Sequence, residues 1–239
     1  MTVRFQQGTH RRPSRQPLLK NQDTSLMNHS LPLPKKTIQG LYVITDPNCS
    51  SPKTLMADVS LALKGGARIV QFRDKSSAYE IQLSLAKQLK TLCESYQAWL
   101  IINDDIQLAK QSQAHGVHIG KNDGDVKTAR DILGADAIIG VTCYNDYQRA
   151  EQMQNLGADY VAFGRFFPSL TKPGAPQADI QTLIQAKKNL TIPIVAIGGI
   201  NQINAKQLIN TGVDSLAVIQ GVFGQPDIKF AAQSISQQF

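Results

Sequence analysis

The segment Ser169-Leu170-Thr171-Lys172-Pro173-Gly174 directly follows a short apolar run at 160–163. Two hydroxyls, an amine and backbone N–H groups in a proline-stiffened loop are what is needed to hold a phosphate or a diphosphate. A plain surface turn draws on the same Ser, Pro and Gly, so the segment alone leaves both readings open. Other apolar runs in the chain end on residues of similar character. One ends Gln71-Phe72-Arg73-Asp74-Lys75, where Arg73 and Lys75 share a parity and could turn two cations toward a diphosphate; a solvated Arg/Asp/Lys ion-pair cluster is the competing reading. Another ends Ile102-Asn103-Asp104-Asp105, and the next His118-Ile119-Gly120-Lys121-Asn122-Asp123.

Carboxylates from two such neighbouring ends can reach a common cation. Two carboxylates completed by substrate phosphate oxygens and water are the usual setting for Mg²⁺. One of Asp104 and Asp105 is expected to cap the following helix instead, and Asp123 could serve only its turn. His118 sits among apolar residues and reads as a packed, hydrogen-bonded histidine before it reads as an acid or base. Thr142 offers a hydroxyl to a substrate, whereas Cys143 has no base nearby in the sequence and reads as a packing residue. Gly198-Gly199 after the run 192–197 would let backbone N–H groups approach an anion. No Ser/His/Asp set, metal-binding Cys/His spacing or Walker loop accompanies these groups. The inventory suits the joining or cleaving of phosphorylated molecules through a stabilised leaving diphosphate.

Something must bring these ends together. From Gly40 onward, β-branched apolar runs alternate with helical stretches. The runs are 41–45, 67–72, 98–102, 116–119, 137–141, 160–163, 192–197 and 215–219. The helical stretches are 52–64, 77–95, 104–112, 125–133, 146–156, 177–189, 201–211 and 226–236. In 77–95, Ile81, Leu85, Leu89 and Leu92 carry the helical period. Continuous apolar strands separated by helices predict a parallel sheet covered by helices. Eight units in about 200 residues predict a closed (β/α)₈ TIM barrel. An open doubly wound sheet is the alternative, but the first strand ends Thr45-Asp46-Pro47-Asn48 with no glycine fingerprint. In a barrel, the C-terminal strand ends form one mouth, and the loops after strands seven and eight commonly hold a phosphate. All the residues above fall at such ends.

Composition narrows the function classes. The formal net charge is +7, but residues 1–36 hold seven of the 25 basic residues and one of the 18 acidic ones, leaving 37–239 at +1. The basic excess is therefore no argument for nucleic-acid binding by the barrel. Residues 1–36 are expected to be a disordered basic tail, with Met27 an alternative start, and 37–239 the barrel. No apolar run is long enough to span a membrane, and no secretory h-region is present. Three cysteines without metal spacing predict reduced thiols in a cytoplasmic protein.

Taken in order, Leu41-Tyr42-Val43-Ile44-Thr45-Asp46, Gln71-Phe72-Arg73-Asp74-Lys75, Ile102-Asn103-Asp104, Gly116-Val117-His118-Ile119-Gly120, Gly157-Ala158-Asp159-Tyr160, Thr171-Lys172-Pro173 and Ala196-Ile197-Gly198-Gly199-Ile200 resemble the thiamine-phosphate synthase family across all eight units. The resemblance implies a (β/α)₈ barrel. Its reaction joins 4-amino-2-methyl-5-hydroxymethylpyrimidine diphosphate to thiazole phosphate with Mg²⁺, giving thiamine phosphate and pyrophosphate. It implies that Gln71 contacts the pyrimidine and that Arg73, Lys75, Asn103 and Lys172 hold the diphosphate. Asp104 and Asp123 would carry Mg²⁺, and Thr142 would stand near the pyrimidine in place of a serine. Ser169, Thr171, Gly198 or Gly199, Ile219 and Gln220 would form the thiazole-phosphate pocket. Gln220 replaces an expected serine, Ser169 a threonine, Arg165 a proline and Lys121 a glutamine. The partners implied are two small molecules, with no nucleic acid and no membrane, and self-association stays open. A thiazole tautomerase on the same barrel and a non-catalytic phosphate-ligand sensor are the alternatives.

Overall fold

The computed structural model describes residues 1–2, 37–121, 123–168 and 177–239. Within them, β1 (Gly40–Ile44), β2 (Ile69–Phe72), β3 (Trp99–Asn103), β4 (Gly116–Ile119), β5 (Ile138–Tyr144), β6 (Tyr160–Gly164), β7 (Ile194–Ile197) and β8 (Ser215–Val218) pair in parallel in chain order. β8 returns to β1, with Gly40 opposite Ser215 and Val43 opposite Val218, so the sheet closes. The seam is reinforced where Ser215 Oγ donates to the Gly40 carbonyl at 2.7 Å and Gly40 N–H donates to the Asp214 carbonyl at 2.9 Å. The (β/α)₈ barrel is the architecture that the alternating pattern predicts.

Each strand reads as a nearly continuous apolar run because both of its faces are buried. Alternate side chains divide between two cores. One row, including Leu41, Val43, Val70, Leu100, Ile102 and Val161, packs under the helices. The other, including Tyr42, Ile69, Trp99, Ile101, Ile138 and Tyr160, fills the barrel. Extending the inner parity upward along β2 to β5 leads to Gln71, Asn103, His118 and Thr142. The parity of an apolar strand thus aims its polar terminus at the mouth.

The helices are α1 (Leu55–Lys64), α2 (Tyr79–Ser95), α3 (Ile106–Ser112), α4 (Val126–Leu133), α5 (Tyr147–Asn155), α6 (Ile180–Asn189), α7 (Ala205–Ile209), α8 (Gln220–Phe223) and α9 (Ile228–Ser236). Asp105, Asp125, Asp146, Asp179 and Asp227 cap α3, α4, α5, α6 and α9 through their carboxylates, each worth about 1 kcal/mol. Element boundaries move by at most four residues from the sequence pattern. The stretch 201–211 shrinks to α7 because Asn201 and Asn204 exchange side-chain bonds with backbone N–H groups before it. α8 is an additional single turn directly after β8. In α2 the buried stripe is Leu85, Ala86, Leu89 and Cys93, while Ile81, expected on that stripe, is 49% exposed at the first turn.

Candidate active site

A cavity of about 340 Å³ opens at the C-terminal mouth of the barrel. It gathers Gln71, Arg73, Asn103 and Thr142 from one side and Gly198, Gly199, Ile219 and Gln220 from the other. Eight positions singled out in the sequence therefore share one space, although β2 and β8 lie far apart in the chain.

Arg73 is held through its backbone. Its N–H donates to Thr45 Oγ1 at 2.9 Å, and the Thr45 hydroxyl donates to the Arg73 carbonyl at 3.2 Å. Its guanidinium lies 4.0 Å from the Asp46 carboxylate and still lines the cavity. Lys75 lies outside the cavity wall and pairs with Asp104 at 3.1 Å. The ion pairs of this loop run to aspartates on other elements and not to Asp74. Asp74 instead turns back on itself and accepts from Ser76 N–H and Oγ–H and from Ser77 N–H.

The adjacent carboxylates Asp104 and Asp105 separate by conformation. Asp105 accepts from Leu108 N–H at 2.8 Å and is the helix cap. Asp104 adopts φ +65°, a region in which Asp is less strained than most side chains, and its carboxylate pairs with Lys75. Asp123 is exposed and accepts from Gly120 N–H at 3.2 Å. A carboxylate offers about four lone-pair sites, so that one bond leaves Asp123 with spare capacity. Among the described residues there is no cluster of three or more His, Cys, Asp or Glu suited to a metal. Neither Asp104 nor Asp123 lines the cavity; as a donor set, two carboxylates without a protein cage suit a hard divalent cation that takes its remaining oxygens from substrate and water.

On the opposite side, Gly198 and Gly199 follow β7 at φ +107° and +66°. A Cβ on Gly198 would lie 2.2 Å from Arg165 Cβ, and one on Gly199 would lie 2.3 Å from the Pro168 carbonyl oxygen. Glycine is therefore required here by the close approach of the β6 loop, and Arg165 itself lines the cavity. Gln220 opens α8 and also faces the cavity. Ser169, Thr171 and Lys172, like residues 3–36 with Met27, lie outside the described residues.

The floor of the cavity holds three residues that sequence reasoning left out of the site: Tyr42, His118 and Tyr160. Gln71 Nε2 donates to the Tyr42 hydroxyl at 2.7 Å, and the Tyr42 and Tyr160 hydroxyls meet at 2.9 Å. Tyr160 lies 2.9 Å from His118 Nδ1, and His118 Nε2 lies 2.8 Å from Thr142 Oγ1. Burial pushes both phenols well above their ordinary pKa. The tyrosine ring fits because residue 140 has no side chain: a Cβ there would lie 1.9 Å from Tyr160 Cζ. The signal was available in the sequence, since a tyrosine inside an apolar strand must find a buried partner for its hydroxyl. Tyr144 also reaches the mouth, at φ +55°, where a register shift interrupts the pairing of β5 with β6. Cys143, by contrast, is buried on the outer face and its thiol is pushed up to about 12 by that burial, in keeping with a packing role.

A family model described as thiamine monophosphate synthase matches residues 41–222. The chain is similar to the thiamine-phosphate synthase of Nitrosococcus oceani, at 49% identity over 203 residues, 85% of this chain and 94% of that one. It is 48% identical to the thiamine-phosphate synthase of Alcanivorax borkumensis over 87% of this chain and 97% of the relative. Among solved structures, the thiamine phosphate pyrophosphorylase from Pyrococcus furiosus superposes with a TM-score of 0.77 at 33% identity, covering 84% of this chain and 95% of that one.

Proposed function

The chain belongs to the thiamine monophosphate synthase family, and we propose that its barrel mouth condenses 4-amino-2-methyl-5-hydroxymethylpyrimidine diphosphate with thiazole phosphate, releasing pyrophosphate and thiamine phosphate. It is a transferase of thiamine biosynthesis. The observation that carries the residue-level reading is the convergence of Gln71, Arg73, Asn103 and Thr142 with Gly198, Gly199, Ile219 and Gln220 in one cavity. In this reading Gln71 and Thr142 hold the pyrimidine. Arg73, Lys75, Asn103 and Lys172 hold the diphosphate. The glycines, Ile219, Gln220, Ser169 and Thr171 hold the thiazole phosphate.

Asp104 and Asp123 would hold Mg²⁺, which when bound would neutralise charge on the leaving diphosphate. The rest of the work falls to the chain. Bond breaking at the exocyclic carbon of the pyrimidine precedes attack by the thiazole nitrogen, because the amino group of the ring can stabilise the resulting cation. Arg73, Lys75 and Lys172 stabilise the charge that collects on the departing oxygens. The two ends of the cavity hold the partners in line, which replaces a bimolecular encounter by a positioned one. No side-chain nucleophile is needed.

The test supplies both substrates with Mg²⁺ and measures pyrophosphate and thiamine phosphate together. Equal release of the two is expected. Binding of both substrates without release would point to a sensor, and isomerisation of a thiazole carboxylate without coupling would point to a tautomerase. Neither alternative is favoured by a specific feature of the cavity.

A further inference from the structure

The row of hydrogen bonds across the cavity floor joins five strands: Gln71 from β2, Tyr42 from β1, Tyr160 from β6, His118 from β4 and Thr142 from β5. Each hydroxyl and the imidazole could donate or accept; with Gln71 Nε2 facing Tyr42, one direction gives every group a partner. An amide nitrogen donates and does not accept. The Tyr42 oxygen accepts from Gln71, so its own proton goes to Tyr160. The Tyr160 proton then goes to His118 Nδ1. A neutral imidazole that accepts at one nitrogen carries its proton on the other, so Nε2–H donates to Thr142 Oγ1. The Thr142 hydroxyl proton is left for another acceptor, and Thr142 lines the cavity.

We propose that this row sets the substrate specificity of the site: it locks the Gln71 carboxamide in one of its two orientations, so that the site accepts a 4-aminopyrimidine and rejects the 4-oxo ring. The identity of the ring rests on the function proposed above. One N–H of Gln71 is committed to Tyr42. The edge that remains has Oε1 as acceptor and the second N–H as donor. That edge matches an amidine-like ring edge, with the exocyclic amine donating to Oε1 and the ring nitrogen accepting from N–H. Reversing the row would exchange the two ends of the amide. Tyr42 would then donate to Oε1, His118 would carry its proton on Nδ1, and the edge offered to the ring would suit a carbonyl beside a ring N–H.

Tyr42, Tyr160 and His118 act through Gln71 and Thr142, so they are positioning residues. Tyr42 is 1% exposed and Tyr160 0%, which keeps water from supplying a substitute partner. A mismatched donor or acceptor in such a buried site discriminates far more strongly than a mismatch of shape.

The first test is nitrogen NMR of the full chain labelled at histidine, with His118 assigned by difference from His118→Asn. At neutral pH, Nδ1 is expected to be unprotonated and Nε2 protonated. A proton on Nδ1 would overturn the direction of the row. The second test is calorimetric binding of the amino and oxo pyrimidine diphosphates to wild type and to Tyr42→Phe and Tyr160→Phe. Wild type is expected to prefer the amino ring, and each variant to lose at least tenfold of that preference. A preference unchanged in both variants would overturn the proposal. If wild type binds neither diphosphate, the parent function and the specificity drawn from it fail together, and the NMR result still reports the row.

Discussion

Replacing Gly140 by alanine tests the floor of the cavity directly. The added methyl carbon would sit 1.9 Å from Tyr160 Cζ and 2.3 Å from the Tyr160 hydroxyl oxygen, where carbon atoms ordinarily approach to about 3.5–4.0 Å. Gly140 and Tyr160 are paired residues of adjacent strands, and Tyr160 is 0% exposed, so neither side can yield by moving into solvent. Overpacking of this kind costs about 1–3 kcal/mol. Displacing the ring also breaks its bonds to Tyr42 and His118, at about 0.5–1.5 kcal/mol each. The reduced freedom of the unfolded chain returns about 0.4–1 kcal/mol. The net loss is on the order of 3 kcal/mol, a large part of the total stability of about 5–15 kcal/mol typical of a folded chain. The assay is urea denaturation, read as a lower midpoint at an unchanged slope. It is repeated in a Tyr160→Leu background, which removes the ring that the methyl group meets. There the alanine is expected to cost less than about 1 kcal/mol. An equal loss in both backgrounds would show that the methyl group meets something other than Tyr160, and the account of the floor would fail.

Two further outcomes are expected. Asp104→Asn keeps a residue tolerant of φ +65° while removing the charge. It should lower pyrophosphate release on the order of 10²-fold or more at a stability cost below about 1 kcal/mol, because the pair with Lys75 is solvent-exposed. Asp105→Ala should do the reverse, losing about 1 kcal/mol of helix cap with turnover kept, so parallel losses of turnover in both variants would refute the division between them. At the far end of the barrel, burial, with Lys90 adding to it, pulls His115 down to about 4, while Glu94 opposes the shift. The unfolded chain therefore takes up this proton first as the pH falls. The stability is complete above about 6.5 and declines by up to about 1.4 kcal/mol per pH unit toward 4. Denaturation midpoints at pH 7.5 and 5 should show this decline in wild type and less of it in His115→Gln, and equal declines would remove His115 as the cause.

The barrel was legible because its signal is local and repeated: each apolar run and each helical stretch declares itself within about ten residues. The polar ends were legible for a related reason. Gln71, Asn103 and Thr142 stand out against the apolar strands that carry them, and parity aims them at the mouth. Which of Asp104 and Asp105 caps α3 was not legible, because the choice depends on one backbone angle. The floor was also hidden. Tyr42 and Tyr160 meet across 118 residues of chain, and although a tyrosine inside an apolar run calls for a buried polar partner, nothing near it in the sequence says which. The opening for its ring is a glycine on a third element, Gly140 on β5, which nothing in the periodicity connects to it. α8 escaped because a single turn after a strand is too short to carry a helical period.

The cavity itself follows from which strands leave the barrel unfilled. An eight-stranded barrel is ordinarily packed solid by layers of inward side chains. Here the lower part keeps that filling, with Trp99, Ile138 and Ile69 among the buried residues of the inner core. Toward the mouth the inward positions on β6 and β8 shrink to Ala162, Gly164 and Ala217, while β2 to β5 present Gln71, Asn103, His118 and Thr142. The wall is therefore polar over one arc of strands and small or apolar over the other. Two ligands of different chemistry can lie side by side in such a space, each against the arc that matches it. On the proposed reading, the pyrimidine and its diphosphate take the polar arc and the thiazole phosphate takes the arc that ends in Gly198 and Gly199. The atoms to be joined then meet between the arcs, over the tyrosine floor. Burial keeps both phenols of that floor protonated, so neither offers a phenolate that would compete with the second substrate for an emerging cation.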